Sequence, residues 1–127
     1  MITKNTAPNA QERKFLNSVI DFHNQVGVGY LYGQECQFSP LQYHHVVGRS
    51  YKQNKIKIGN FFILPVPQEL HDVGSNDPDN VTHFRHNFTR RFGNQRDLWQ
   101  MMICRMEEYG LEIPSLEIIY AISVTKY

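Results

Sequence analysis

At 127 residues the chain fits one domain, 1–127, long enough to bury a core, and its 41% hydrophobic and 20% charged residues are those of an ordinary soluble globular protein. A formal net charge of +1 leaves nucleic-acid binding to be decided by local basic faces rather than by the sum. Two cysteines, Cys36 and Cys104, with no Cys-x-x-Cys pair, exclude a four-cysteine zinc knuckle and suit a reduced, intracellular protein.

The opening stretch 1–9 is polar, reads as a flexible tail and lacks the apolar core of a signal peptide. No run approaches the roughly 18 apolar residues of a membrane span. Together these lead us to expect a cytoplasmic protein with no membrane partner.

Asn9 is placed to cap a helix from Ala10 to about Gln25, with Glu12 three residues on as its capping-box partner. Phe15, Leu16, Val19, Ile20 and His23 recur at helical spacing and predict a buried stripe, with His23 a structural residue on that face. Gly27 and Gly29 end the helix. Tyr30-Leu31-Tyr32 reads as a short strand, and Cys36 as a small buried hydrophobe.

Residues 42–47 predict a strand, and Asn60–Leu64 a second. Between them Gly48–Gly59 is a polar loop carrying Arg49, Lys52, Lys55 and Lys57. Pro67 suits the first position of a short helix running to about Val73. Ser75–Asn80 is a loop by composition. Asp79 or Asn80 then caps a helix to Phe92, which puts Phe84, Phe88 and Phe92 on one face and His83, Asn87 and Arg90 on a neighbouring one. A helix over 95–109 buries Leu98, Met102, Ile103 and Met106, with Met101 also assigned to the core. Pro114 opens a last helix to about Val124, with Leu116, Ile119, Tyr120 and Ile122.

The chemistry concentrates in two segments, Tyr43-His44-His45-Val46-Val47-Gly48-Arg49 and Asn60 to His71. Neighbouring side chains in a strand point to opposite faces, so His44 and His45 cannot both be ordinary core residues. One can face a metal and the other a substrate beside it if a bulge or the strand end brings both to the same cleft. That division suits phosphodiester hydrolysis, in which a divalent ion holds a phosphate oxygen and a neutral His takes a proton from water. A helix after the hairpin would lay His71 over it, and an Asn at position 60 would hold the base from behind, as catalytic histidines require. Gly-Asn between apolar runs is equally a plain turn signal. His86 is the nearest rival of His83 for a role at the site.

This order resembles the HNH, or ββα-metal, endonucleases. Within them it is most similar to the phage recombination-enhancement, RecA-dependent nucleases, over roughly residues 10–103. The segments "HHVVGR", "FFILPVPQELH" and "HFRHNFTRRFG" carry the likeness. The resemblance implies an α+β fold with a small ββα-metal core, hairpin and helix, over 42–92. That core is flanked by the N-terminal helix and by C-terminal helices over 95–127. It implies His44, His71 and His83 as ligands of one divalent ion (Mg²⁺, Mn²⁺ or Zn²⁺), with His45 as general base and Asn60 orienting it. Arg49, Lys52, Lys55, Arg90 and Arg91 would contact DNA. The partner is DNA, in a RecA-coated or single-stranded form if the closer likeness holds, in a phage or prophage setting within a bacterial host.

Relatives of that family carry cysteines before the His-His pair and a further His beside the later one. Here Cys36 stands alone in the first region and Leu70 takes the place of the extra His. The reduced set supports an alternative reading, a non-catalytic, metal-stabilised module that binds nucleic acid or protein. Oligomeric state is not legible in the sequence.

Overall fold

A computed structural model describes residues 8–72, 74–75 and 77–127. Residues 1–7 of the expected tail, Val73 at the expected end of the short helix, and Asn76 lie outside the described residues. The fold is α+β: five helices around a small two-stranded antiparallel sheet, with a second, two-residue-per-strand ribbon beside it. Among the described residues no helix is long and apolar enough to cross a membrane.

The first helix, α1 (Ala10–Val26), begins as its cap dictates. The Asn9 carbonyl oxygen of the side chain accepts from Glu12 N–H at 2.9 Å, and Glu12 Oε1 accepts from Asn9 N–H at 2.8 Å. Two otherwise unpaired donors are satisfied at once. Phe15, Val19, Phe22 and His23 form its buried face. Leu16 and Ile20, expected in the stripe, are only half-buried.

Gly27 ends α1 at φ +75°, where a Cβ would overlap the Gln37 carbonyl oxygen. Gln37 stitches this corner together. Its carbonyl accepts from Val28 N–H, its side-chain oxygen accepts from Gly29 N–H, and its Nε2 donates to Val26 O. The closed corner winds Gly29–Tyr32 into one helical turn, α2, not the strand expected for Tyr30-Leu31-Tyr32.

Strand β1 (Leu41–His45) pairs with β4 (Ile63–Pro67), with His45 opposite Ile63, His44 opposite Leu64 and Gln42 opposite Val66. The second strand therefore lies three residues beyond the expected Asn60 start. The turn before it explains the displacement, since Phe61 and Phe62 N–H both donate to Ile58 O, and the prolines fit the strand that follows. Pro65 has no N–H, and its carbonyl accepts from Tyr32 O–H at 2.7 Å. Its backbone faces away from β1, so no ladder bond is missing there. All five β4 residues are buried.

Gly48–Gly59 is not an open loop. It contains β2 (Lys52–Gln53) and β3 (Ile56–Lys57), joined by a turn in which Asn54 and Lys55 hold φ of 51° and 68°. Two successive left-handed residues suit the right-handed twist of a tight hairpin. Lys57 Nζ lies 3.5 Å from the buried Glu12 carboxylate and ties the ribbon to α1. Glu12 is 1% exposed, and its Oε2 is buried without a hydrogen bond among the described residues.

After β4 the chain makes a single 3-10 turn, Gln68–Leu70, preceded by Pro67 rather than opened by it. Helix α3 (Arg85–Phe92) starts later than expected, because Asn80 Oδ1 accepts from both Thr82 and His83 N–H and folds 81–83 into a separate turn. Phe88 is buried, while Phe84 at 46% exposure is not part of the core. Helix α4 (Gln95–Glu108) is capped by Asn94 and buries Leu98, Trp99, Met102, Ile103 and Met106. Met101, assigned to the core from sequence, is 48% exposed. Trp99 Nε1 donates to Phe61 O at 2.8 Å, locking α4 under the turn that precedes β4. Helix α5 (Leu116–Val124) is capped by Ser115, one residue after Pro114. It buries Ala121 and Ile122 and leaves Leu116 and Tyr120 exposed.

Candidate active site

Alternation along β1 decides where the two adjacent histidines go. Gln42 and His44, two residues apart, share a face. His71, just past the 3-10 turn, lies over that face. Its ring is 5.0 Å from the His44 ring, centroid to centroid, and its Nδ1 bonds Gln42 Oε1 at 2.6 Å. His44 Nε2 bonds Gln95 Oε1, on the first turn of α4, at 2.8 Å. A glutamine carbonyl oxygen only accepts, so His44 carries its proton on Nε2 and His71 on Nδ1. The opposite nitrogens, His44 Nδ1 and His71 Nε2, make no hydrogen bond with any described residue.

His45 closes β1. Its Nε2 bonds Asn60 Oδ1 at 3.1 Å. Asn60 sits in the turn before β4, not in the strand, and is 4% exposed. Gly59 lets that turn press against the preceding loop: a Cβ there would overlap the carbonyl oxygens of Gly48 and Arg49. The same close approach sets Arg49 beside the histidine. With Nε2 as donor, His45 Nδ1 holds a lone pair and has no partner among the described residues.

All three rings are held neutral at pH 7. Burial, then the adjacent His71, push the His44 pKa down to about 4, against the opposing bond from Gln95; the charge of Arg85 adds to the lowering. Burial also lowers His45, helped by Arg49 and His71 and opposed by the Asn60 bond. His71 is lowered by burial, with Asp72 opposing.

The pair suits a metal in its donor chemistry. Two neutral imidazoles, each fixed by an amide at one nitrogen and open at the other, present lone pairs of a kind that Zn²⁺ and similar borderline ions accept more readily than Mg²⁺. Among the described residues, however, no three His, Cys, Asp or Glu side chains gather closely enough to form a complete ligand group. His83 is exposed in the turn before α3, its backbone N–H bonded to Asn80 and its ring 6.4 Å from that of Phe84.

Of the basic residues expected to contact nucleic acid, Arg49, Lys52, Lys55 and Arg90 are exposed. Arg91 is ion-paired, its Nη1 2.7 Å from Asp79 and its Nη2 3.8 Å from Glu35. Three residues at the site escaped the sequence reading: Gln42, Gln95 and Arg85. Gln42 carried a signal, since a polar residue two before His44 on a strand must share its face. Gln95 carried none, because its partner is 51 residues away.

A scan against protein-family models finds no match, and searches of curated proteins and of solved structures find no similar protein.

Proposed function

We propose that the protein is a metal-dependent endonuclease of the HNH type that hydrolyses DNA phosphodiester bonds. The order β1, turn, β4 and 3-10 turn is read as a reduced ββα-metal core, in which one short turn stands for the helix. The observation that carries the proposal is the pairing of unlike histidines on one strand. His45 is oriented through Nε2 by Asn60 with its Nδ1 lone pair available. His44 and His71 stand ring to ring, each with one nitrogen fixed by a glutamine.

In this reading His45 Nδ1 takes a proton from the attacking water, and Asn60 keeps the ring in the tautomer that permits it. His44 and His71, with His83 as a further candidate, would hold a divalent ion that binds the scissile phosphate and stabilises the leaving oxygen. Arg49 beside His45 and the lysines of the β2–β3 ribbon contact the flanking backbone. DNA in a RecA-coated form, in a phage or prophage setting, remains part of the proposal on the strength of the sequence resemblance.

The direct test is nicking of supercoiled plasmid by the purified protein with Mg²⁺, Mn²⁺ or Zn²⁺, with and without RecA. Metal-dependent nicking by the wild type and its loss in His45→Ala support the enzyme. A protein that cuts nothing under any of these conditions, or a His45→Ala variant that cuts equally well, refutes it. The two-histidine ligand pair favours one second reading, a metal-stabilised binding module. That reading predicts bound metal by elemental analysis and retention of DNA, without cleavage.

A further inference from the structure

Arg85 opens α3, and its surroundings set it apart from the other arginines near the site. Arg91 is paired with Asp79 and Glu35. Arg96 donates from Nε to Ile122 O at 3.1 Å and from Nη2 to Thr125 O. Among the described residues Arg85 makes no hydrogen bond and no ion pair. It lies instead against an aromatic ring, with its Cζ 5.2 Å from the centroid of Tyr127. Cation–π contact of this kind immobilises a guanidinium while leaving its N–H donors free to bond elsewhere.

Tyr127 is itself held from several sides. The Arg96 guanidinium lies 5.1 Å from its ring centroid. The buried Phe62 ring meets it edge-on at 5.6 Å. Its hydroxyl donates to Asn94 Oδ1 at 3.2 Å and accepts from Arg96 N–H at 3.0 Å. Those two residues flank Gln95, the residue that bonds His44. One aromatic ring thus fastens the start of α4, which holds His44, and the guanidinium at the start of α3.

We propose that Arg85 is a substrate-binding residue that grips a backbone phosphate of the nucleic acid beside His44, and that Tyr127 is the positioning residue that holds its guanidinium there. The inference rests on the nuclease reading for the identity of the phosphate but not for the existence of the phosphate site. A fixed guanidinium with unbonded donors is matched by a phosphodiester, which accepts two parallel hydrogen bonds.

The test titrates ¹⁵N-labelled full-length protein with a thymidine hexanucleotide, following the arginine Nε–Hε resonances, and measures affinity against salt. The Arg85 Nε–Hε signal is expected to move on titration, and Arg85→Ala to weaken binding roughly tenfold. The same variant should lower the slope of log affinity against log salt by about 1. Arg85→Lys, which keeps charge but not the planar stack, should recover only part of the loss. Tyr127→Phe should bind as the wild type, whereas Tyr127→Leu should behave like Arg85→Ala at an unchanged Arg85 sequence. In the nicking assay Arg85→Ala should raise KM more than it lowers kcat.

A wild type that binds the oligonucleotide through Arg85 but cuts nothing keeps this inference and removes the nuclease. One that cuts, with Arg85→Ala equal to it in affinity and salt slope, removes this inference and keeps the nuclease. A wild type that binds no oligonucleotide removes this inference as well.

Discussion

Four of the six histidines are held partly or wholly away from water, in two places that treat the ring nitrogens differently. Under α1, His23 is closed: Nδ1 bonds Val19 O at 2.8 Å, Nε2 bonds the Tyr30 hydroxyl at 2.7 Å, and the two rings stack 5.9 Å apart. Beside β1, His44, His45 and His71 are each bonded at one nitrogen only among the described residues. Desolvation alone does not separate the two places, since it drives the His23 and His44 pKa values alike to about 4. What separates them is the second nitrogen. Both nitrogens of His23 are engaged within the fold, which leaves neither lone pair open to a metal ion. A ring kept neutral with one lone pair unbonded can take a proton or a metal ion.

The comparison breaks first at His45. Its replacement by alanine should lower kcat for nicking by about 10²–10⁴, the usual worth of a general base, with an unchanged circular dichroism spectrum and melting temperature. Equal activity in the variant would mean that the unbonded nitrogen does no chemistry. His23 should behave in the opposite way. Its folded pKa lies below its ordinary 6.5, at about 4, so its contribution to stability is fully present above pH 6.5 and is lost as pH falls through about 4. The amount is about 3 kcal/mol. Urea melts of wild type and His23→Gln, in EDTA between pH 7.5 and 4, should show the variant losing less stability on acidification. Nicking at pH 7.5 should be equal in the two wherever both are folded. A His23 variant that stays folded yet fails to cut would blur the distinction between the closed and open rings.

How much of this was legible in the sequence follows from the range of the forces involved. The cap of α1 lies within three residues, and Asn9 and Glu12 announced it. The α4 core positions follow from local periodicity, and Leu98, Met102, Ile103 and Met106 are buried as expected. Errors arose where a distant contact overrode a local signal. The Tyr30-Leu31-Tyr32 run has strand character, but Gln37 closes the preceding corner and makes it helical. Asn60-Phe61-Phe62 reads as the start of a strand. It is instead the turn whose Phe61 carbonyl receives the Trp99 N–H, and the strand begins only at Ile63. Asn60 still reaches His45, so the turn residue is also the hydrogen-bond partner of that ring. Leu116, Tyr120 and Met101 fit helical stripes that face outward, because periodicity marks a face without saying what covers it.

The glutamines offer a subtler test of the open rings. Gln42 and Gln95 fix tautomer and orientation without touching the lone pairs left available. Gln95→Leu removes the acceptor of His44 Nε2–H and leaves that donor buried, and Gln42→Leu does the same to His71 Nδ1. Each should weaken metal affinity by about 10–100-fold, measured by competition with a chromogenic chelator, with a smaller effect on melting in EDTA. An unchanged affinity in both variants would show that the glutamines serve packing alone, and would bring the two buried regions closer together in kind.

The smallest effects separate closed from open among the lysines of the β2–β3 ribbon. Lys57 belongs with His23, since its Nζ is 3.5 Å from the buried Glu12 carboxylate and its side chain is 28% exposed. Removing it leaves a buried carboxylate with less compensation, so Lys57→Ala should cost about 1–3 kcal/mol of stability by urea unfolding. Its loss should leave the salt dependence of DNA binding nearly untouched. Lys52 and Lys55 belong with the open rings. They are exposed, and the left-handed turn at Asn54 and Lys55 holds the tip of the ribbon in one shape. Lys52→Ala and Lys55→Ala should leave unfolding within about 0.5 kcal/mol of wild type, as surface substitutions do. Each should reduce the slope of log affinity against log salt by about 1, as the loss of one phosphate contact requires. If Lys57 changed the slope while Lys52 and Lys55 did not, the nucleic acid would run along the α1 side of the ribbon. The Glu12 pair would then be part of the binding face rather than a tie within the fold.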